Sequence, residues 1–230
     1  MRIETFTQTP FQQNTRVAVC ERTKQAIVID PGERCVEPEN FLRDNGLSLA
    51  AITLTHGHLD HVGGTSALHA AFPEAEIIIH PDDEDLYYAL QRQPLFMGIS
   101  PEQLAPLGLD YDAPPKITRN WEDGETFEVG ELRFSVRHCP GHTRGHVVLA
   151  ELTDKVVFVG DCLFENSIGR TDLPGGDHEQ LLDSIRRNIL SLDDDFEVHS
   201  GHGPVTTVGR ERQHNPFLNG TYQIERGRYV

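Results

Sequence analysis

No stretch of this 230-residue chain approaches the roughly 18 consecutive apolar residues of a membrane-spanning helix. The opening residues, MRIETFTQTP, carry no apolar core of the kind a secretory signal needs, so a soluble, cytoplasmic protein is expected. Basic residues are scarce: 20 Lys and Arg stand against 36 Asp and Glu, a net charge of −16. That field repels nucleic acid and anionic membranes, and neither is expected as a partner. Four cysteines are present, Cys20, Cys35, Cys139 and Cys162, and no two form a C-x-x-C pair. Their spacing fits no zinc ribbon or disulfide framework, so free thiols are expected. No internal repeat and no low-complexity tract occurs.

Hydrophobic residues make up 37% of the chain, and with the 20 glycines this is enough for a packed core. RVAVC (16–20) and QAIVID (25–30) read as a β-hairpin closed by a turn at Pro31 and Gly32. A helix is expected over 36–46, with Gly46 as its C-terminal stop. AAITLT (50–55) and AEIIIH (75–80) read as strands, separated by a helix over 62–71 and followed by another over 82–92. Residues 93–116, rich in Pro and Gly, read as an irregular connection. Beyond it come four β-rich runs, ETFEVG, LRFSVRHC, HVVLAEL and KVVFVGD. A helix over 177–190 capped by Asp177, a strand at 196–200 and a helix over 208–218 complete the pattern. The acidic runs at 82–85 and 193–195 read as solvated element ends. Strands with helices outside them imply a layered α/β fold. One domain over 1–230 is expected, its two halves meeting near 93–116. Phe11, Tyr87, Tyr88, Phe96 and Met97 are read as core or loop packing for the most part, with the lining of a pocket as the alternative.

The 12 histidines are the unusual feature. AITLTHGHLDHVGG (51–64) places His56, His58, Asp60 and His61 at the end of an apolar run. His56 and His58 are two apart, so an extended segment points both to one face. Asp60 and His61 follow at the next bend. His142 in PGHTRGH, Asp161 in VFVGDCLF and His202 in SGHGP also follow strands. Strand ends are where sites assemble in open α/β sheets. Imidazole and carboxylate donors suit zinc, iron or manganese. Five histidines and two aspartates exceed what one tetrahedral ion needs and suit two ions sharing a carboxylate. His146, four residues after His142, reads either as a residue that orients a ligand or as a turn residue. His69, His80, His138, His178, His199 and His214 are read as structural or surface residues.

THGHLDH, PGHTRGH, VGDCLF and SGHGP resemble the metallo-β-lactamase superfamily in order and rough spacing over nearly the whole chain. GRTDLPGGD (169–177) and ERQHNPFL (211–218) resemble its glyoxalase II-like branch, the hydroxyacylglutathione hydrolases, and within it the short bacterial proteins. The resemblance implies a four-layer αβ/βα sandwich with a dinuclear site at one edge. It implies that His56, His58 and His142 hold one ion, that Asp60, His61 and His202 hold the other, and that Asp161 bridges both. Two divalent ions are expected, zinc first, with iron or manganese as alternatives; ions so placed lower the pKa of a shared water towards about 7 and polarise a carbonyl. Asp60 and Asp161 are the expected catalytic carboxylates. Arg170 matches a cation that contacts the glutathione part of the substrate in that branch; an ion pair with Asp172 or Asp177 is the alternative for it.

Two departures stand out. Two-domain glyoxalase II enzymes add a helical C-terminal domain, whereas residue 230 lies only 28 positions beyond His202, so no separate substrate domain is expected. Asp172 stands where that branch has tyrosine. The expected activity is metal-dependent hydrolysis of S-D-lactoylglutathione or a related small thioester. The main rival is an iron persulfide dioxygenase, which would hold one Fe(II) on His56, His142 and Asp161. A lactonase, a β-lactamase or another ester or amide hydrolase ranks lower. A tRNA-processing nuclease is disfavoured by the charge, and a structural metal module by the apparent pair of sites. The oligomeric state is left open.

Overall fold

The computed structural model describes residues 1–8, 11–96 and 98–221. The first sheet runs in chain order: β1 (Arg2–Gln8), β2 (Gln13–Cys20), β3 (Gln25–Ile29), β4 (Ser48–Thr53), β5 (Glu76–Ile79) and β6 (Arg119–Asn120). Its first three strands pair antiparallel and the rest parallel. The second half supplies β7 (Thr126–Val129), β8 (Leu132–His138), β9 (Val147–Glu151) and β10 (Val156–Gly160). A two-strand ribbon, β11 (Leu163–Phe164) and β12 (Ser167–Ile168), follows, then β13 (Glu197–Ser200) and β14 (Thr206–Thr207). The second sheet has the order β14-β13-β10-β9-β8-β7.

The helices are α1 (Val36–Asp44), α2 (Leu59–Val62), α3 (Thr65–Ala71), α4 (Glu84–Tyr88), α5 (Gln93–Phe96), α6 (Pro101–Leu107), α7 (His178–Asn188) and α8 (Val208–His214). Three apolar clusters mark the three interfaces of a four-layer αβ/βα sandwich. Val17, Val28, Leu42 and Leu68 belong to the layer between the first sheet and its helices. Ala18, Ile27, Ile78, Phe134 and Phe158 fill the space between the sheets. Val157, Leu181, Ile185 and Val208 join the second sheet to α7 and α8. The central strands β2, β9 and β10 are buried at every position, as strands covered on both faces must be. The edge strand β7 alternates exposed and buried residues.

The hairpin, the main strands and α7 lie where the sequence places them. Asp177 caps α7 by accepting a hydrogen bond from the Gln180 amide at 2.9 Å. Gly46 takes a left-handed φ of 61° just past α1. Several elements differ. β1 is unexpected, because RIETFTQ has little apolar alternation, and its pairing with residues 13–19 of β2 creates it. The helix expected over 62–71 is broken into α2 and α3 at Gly63 and Gly64. The helix expected over 82–92 breaks into short turns, with Pro81 at the start and Pro94 beyond. α6 lies inside the segment read as irregular; Ser100 and Gln103 form a reciprocal capping box, and Gly108 closes it at φ 71°. It buries no residue, which is why its apolar pattern is silent. The last helix stops at His214 rather than 218. Tyr87 is fully buried and Phe11 packs on the first cluster, while Tyr88 is exposed. Met97 and the side chain of Phe96 lie outside the described residues. Among the described residues, no helix is long and apolar enough to cross a membrane.

The sheets are stitched together at one edge. Val147 N donates to Thr55 O at 2.8 Å, Asn14 N donates to Gly201 O at 2.7 Å, and Gln13 bridges His202. That edge is where β3, β4, β8, β10 and β13 end.

Candidate metal centre

The seven residues singled out in the sequence converge at this edge. β4 ends at Thr53, and the chain bends at Thr55 and His56 and is extended at His58 before α2 presents Asp60 and His61. The other loops bring His142 after β8, Asp161 after β10 and His202 after β13. Three triplets of donor atoms at this edge, each within 4.8 Å of one another, could hold a metal ion: His56, His58 and His142; Asp60, His61 and His202; and Asp30, His56 and His61, in which Asp30 already accepts from His61 Nδ1. Asp161 lies between the first two. Its Oδ1 is 3.3 Å from His61 Nε2, and its Oδ2 is 3.6 Å from His202 Nε2 and 3.8 Å from His142 Nε2.

Hydrogen bonds fix which nitrogen each imidazole aims inward. His61 Nδ1 donates to Asp30 Oδ2 at 3.0 Å, His142 Nδ1 to Arg170 O at 2.8 Å, and His202 Nδ1 to Phe11 O at 3.1 Å. Thr55 Oγ1 donates to Asp30 Oδ2 at 2.7 Å, so it accepts from His56 Nδ1 at 3.0 Å. Each of these rings is left with Nε2 towards the centre. His58 faces the other way round, its Nδ1 2.9 Å from His142 Nε2. Such partners set tautomer and ring orientation in metal sites.

The donor set fits divalent ions. His56 Nε2, His61 Nε2 and Asp161 Oδ1 are buried and make no hydrogen bond. An unpaired buried polar atom costs about 1–3 kcal/mol; His56 Nε2 has no partner, and His61 Nε2 and Asp161 Oδ1 have only each other, 3.3 Å apart, so the space they face calls for a ligand. The electrostatics divide the site. Burial, together with neighbouring imidazoles, pushes His56 far down and His58 to about 3, so these two rings are neutral. Burial also opposes charge on His61 and His202, but Asp161 and Asp60 overcome it and raise both. Asp161 and Asp60 are themselves lowered: burial works against ionisation, and the facing imidazoles outweigh it. One side is open, formed by His58, Asp60 and His202, which are half-buried.

His146 lies behind the centre, not in it. Its Nε2 accepts from Asp161 N at 3.1 Å, so Nδ1 carries the proton and points at Cys162 Sγ, 3.2 Å away. The ring stacks on His56, with centroids 4.8 Å apart. Arg170 offers its carbonyl to His142, while its guanidinium forms a bidentate pair with Asp172 at 2.7 Å and 2.7 Å. All four cysteines are free and buried.

Three anchoring residues escaped the sequence reading. Asp30 accepts from Thr55 N at 2.7 Å as well as from Thr55 Oγ1 and His61. It ends the run VID just as Asp161 ends VFVGD, and the same strand-end signal was there to find. Gln93 grips the THGHLDH loop, accepting from Leu59 N at 2.9 Å and donating to Gly57 O at 2.8 Å. Asp83 sits within the acidic run read as solvated, yet it is 1% exposed, because three donors from the ligand loops surround it. The run at 193–195 is exposed as expected. A further group, His80, Asp82 and His138, lies apart. Its two rings stack at 4.1 Å and 7°, so their in-plane lone pairs run parallel instead of converging.

A family model of the Metallo-beta-lactamase superfamily matches residues 9–202, and the chain belongs to that superfamily. It is 39% identical over 219 residues to hydroxyacylglutathione hydrolase GloC of Haemophilus influenzae, covering 95% of this chain and 99% of that one. Among solved structures it is similar to the BLEG-1 B3 metallo-beta-lactamase, with a TM-score of 0.82, 34% identity and coverage of 95% and 100%. It is similar as well to TTHA1623 in a di-iron-bound form, with a TM-score of 0.81, 36% identity and coverage of 94% and 100%.

Proposed function

We propose that this member of the metallo-β-lactamase superfamily is a dinuclear metal-dependent hydrolase of small thioesters, with S-D-lactoylglutathione or a close relative as substrate. The observation that carries the reading is the pair of three-donor clusters joined through Asp161, with buried, unpaired nitrogens on both sides. His56, His58 and His142 would hold one ion, Asp60, His61 and His202 the other, and Asp161 both. Divalent ions held there would supply an activated water nucleophile and polarise the thioester carbonyl. Zinc suits the nitrogen-rich donors, and the di-iron form of a similar protein keeps iron in view.

The chain's own groups do the rest. Asp60, whose Oδ2 lies 3.2 Å from His202 Nε2 on the open side, accepts the hydrogen bond that orients the attacking water. Asp161 holds negative charge at the centre of the cluster and keeps His61 and His142 aimed inward. Arg170, anchored by its carbonyl beside His142, releases the exposed Asp172 to bind an anionic end of the substrate; an exposed ion pair is worth only about 0–1 kcal/mol, so the exchange is cheap. The departing thiolate needs no acid, since thiols ionise near pH 8.5. A mononuclear iron persulfide dioxygenase would use only His56, His142 and Asp161, and the ordered second triplet favours the hydrolase. The test is loss of the thioester of S-D-lactoylglutathione with metal-replete protein, run beside a lactone, a β-lactam and oxygen uptake with glutathione persulfide. Turnover of the thioester well above the others supports the reading; faster turnover of any other substrate replaces it.

A further inference from the structure

Asp83 is one of the least exposed carboxylates in the chain, and it binds none of the candidate ligands directly. Two of its three partners adjoin ligands, and the third, Gly145, lies in the same loop as His142. Oδ2 accepts from Gly57 N at 2.9 Å and from Thr143 Oγ1 at 2.7 Å, and Oδ1 accepts from Gly145 N at 2.7 Å. Gly57 separates His56 from His58, and Thr143 follows His142. One carboxylate therefore ties the loop of the first sheet to the loop of the second, across the gap that the first triplet spans. The approach is close. A Cβ on Gly57 would sit 3.0 Å from Asp83 O, and one on Gly145 would sit 2.6 Å from Asp83 N. The glycines in HGH and TRGH are needed to admit this segment.

The second triplet is held differently. His61 leans on Asp30 and His202 on Phe11 O, and Asp83 touches neither. We propose that Asp83 is a positioning residue that sets the affinity of the His56–His58–His142 subsite and leaves the Asp60–His61–His202 subsite largely unaffected. The proposal rests on the dinuclear reading. Loss of a partner one shell out from a metal typically weakens binding about 10–100-fold. Asparagine at this position cannot replace the carboxylate. Either orientation of its amide turns an NH2 group towards a backbone N–H, so at least one of the three bonds is lost.

The experiment is a cobalt titration of the metal-free wild type, Asp83→Asn and Thr143→Val, following the ligand-field spectrum and the number of ions retained, with circular dichroism to check folding. The wild type is expected to take up two ions. Asp83→Asn should be folded, bind one ion with wild-type affinity and bind the other about 10–100-fold more weakly. Thr143→Val, which removes one of the three bonds, should weaken the same step less; it also carries the test if Asp83→Asn does not fold. Two ions bound at wild-type affinity by both variants would overturn the proposal, and so would equal weakening of both steps in a folded variant. A wild type that takes up fewer than two ions would instead refute the dinuclear reading, whatever the variants do.

Discussion

Replacing Asp30 by alanine puts the anchoring logic of the centre under the most strain. The carboxylate is 2% exposed and accepts three hydrogen bonds, from Thr55 N, Thr55 Oγ1 and His61 Nδ1. Alanine leaves all three donors buried without a partner. Removing one member of a buried charged network typically costs about 3–5 kcal/mol, rather than the sum of its bonds. At about 2–4 °C per kcal/mol for a chain of this size, the melting temperature should fall by roughly 6–20 °C. The assay is thermal unfolding of the metal-free protein, so that loss of a bound ion does not enter the difference. Asp30→Asn separates stability from ligation. Its amide keeps the bond from Thr55 N, but turns N–H groups towards His61 Nδ1, which must then give up its proton and carry it on Nε2, the atom that faces Asp161. The same amide faces Thr55 Oγ1, the partner of His56 Nδ1, so this variant should melt closer to the wild type yet bind less metal at both subsites. An alanine variant melting within about 2 °C of the wild type, less than the shift for 1 kcal/mol, would refute the reasoning.

Further outcomes follow from the same geometry. Asp161→Ala should lower metal content and activity together, as read by elemental analysis and rate on the same sample; full activity would remove Asp161 from its bridging place. Arg170→Ala should raise KM for an anionic thioester about 10-fold or more with kcat little changed, the effect of one charge-assisted contact; an unchanged KM would remove the role. His199 is pushed down to about 4 by burial and by the charge of Arg16. The unfolded chain, with an ordinary histidine near pH 6.5, then binds the extra proton between pH 6.5 and about 4. This histidine's contribution, at most about 3 kcal/mol, is therefore present above pH 6.5 and lost as pH falls through that window. Denaturation of metal-free wild type and His199→Gln across pH 4–7 should show the steeper decline in the wild type; parallel curves would contradict it.

What was legible in the sequence depended on whether one residue type carries a meaning by itself. His56, His58, His142 and His202 are visible because strand-end histidines in such numbers have few other uses. The core strands are visible because β2, β9 and β10 are buried at every position and read as apolar runs. The anchors were not. Asp83 looks like its neighbours Asp82 and Asp85, which are exposed. Only the arrival of Gly57, Thr143 and Gly145 from elsewhere in the chain makes it a buried acceptor, and no local pattern records that. Asp30 and Gln93 escape for the same reason. β1 exists through its pairing with β2 rather than through its own hydrophobic alternation. α6 declares itself mainly through its caps, since it buries no residue fully and Leu104 packs on the core only in part.

The central claim, that the two triplets act together on a thioester, is tested most directly by one titration. Metal-free protein is reconstituted stepwise with zinc while the initial rate of S-D-lactoylglutathione hydrolysis is measured. The account predicts little activity up to one ion per chain, a rise between one and two, and a plateau at two. Full activity at a single ion, or none at two, would contradict it.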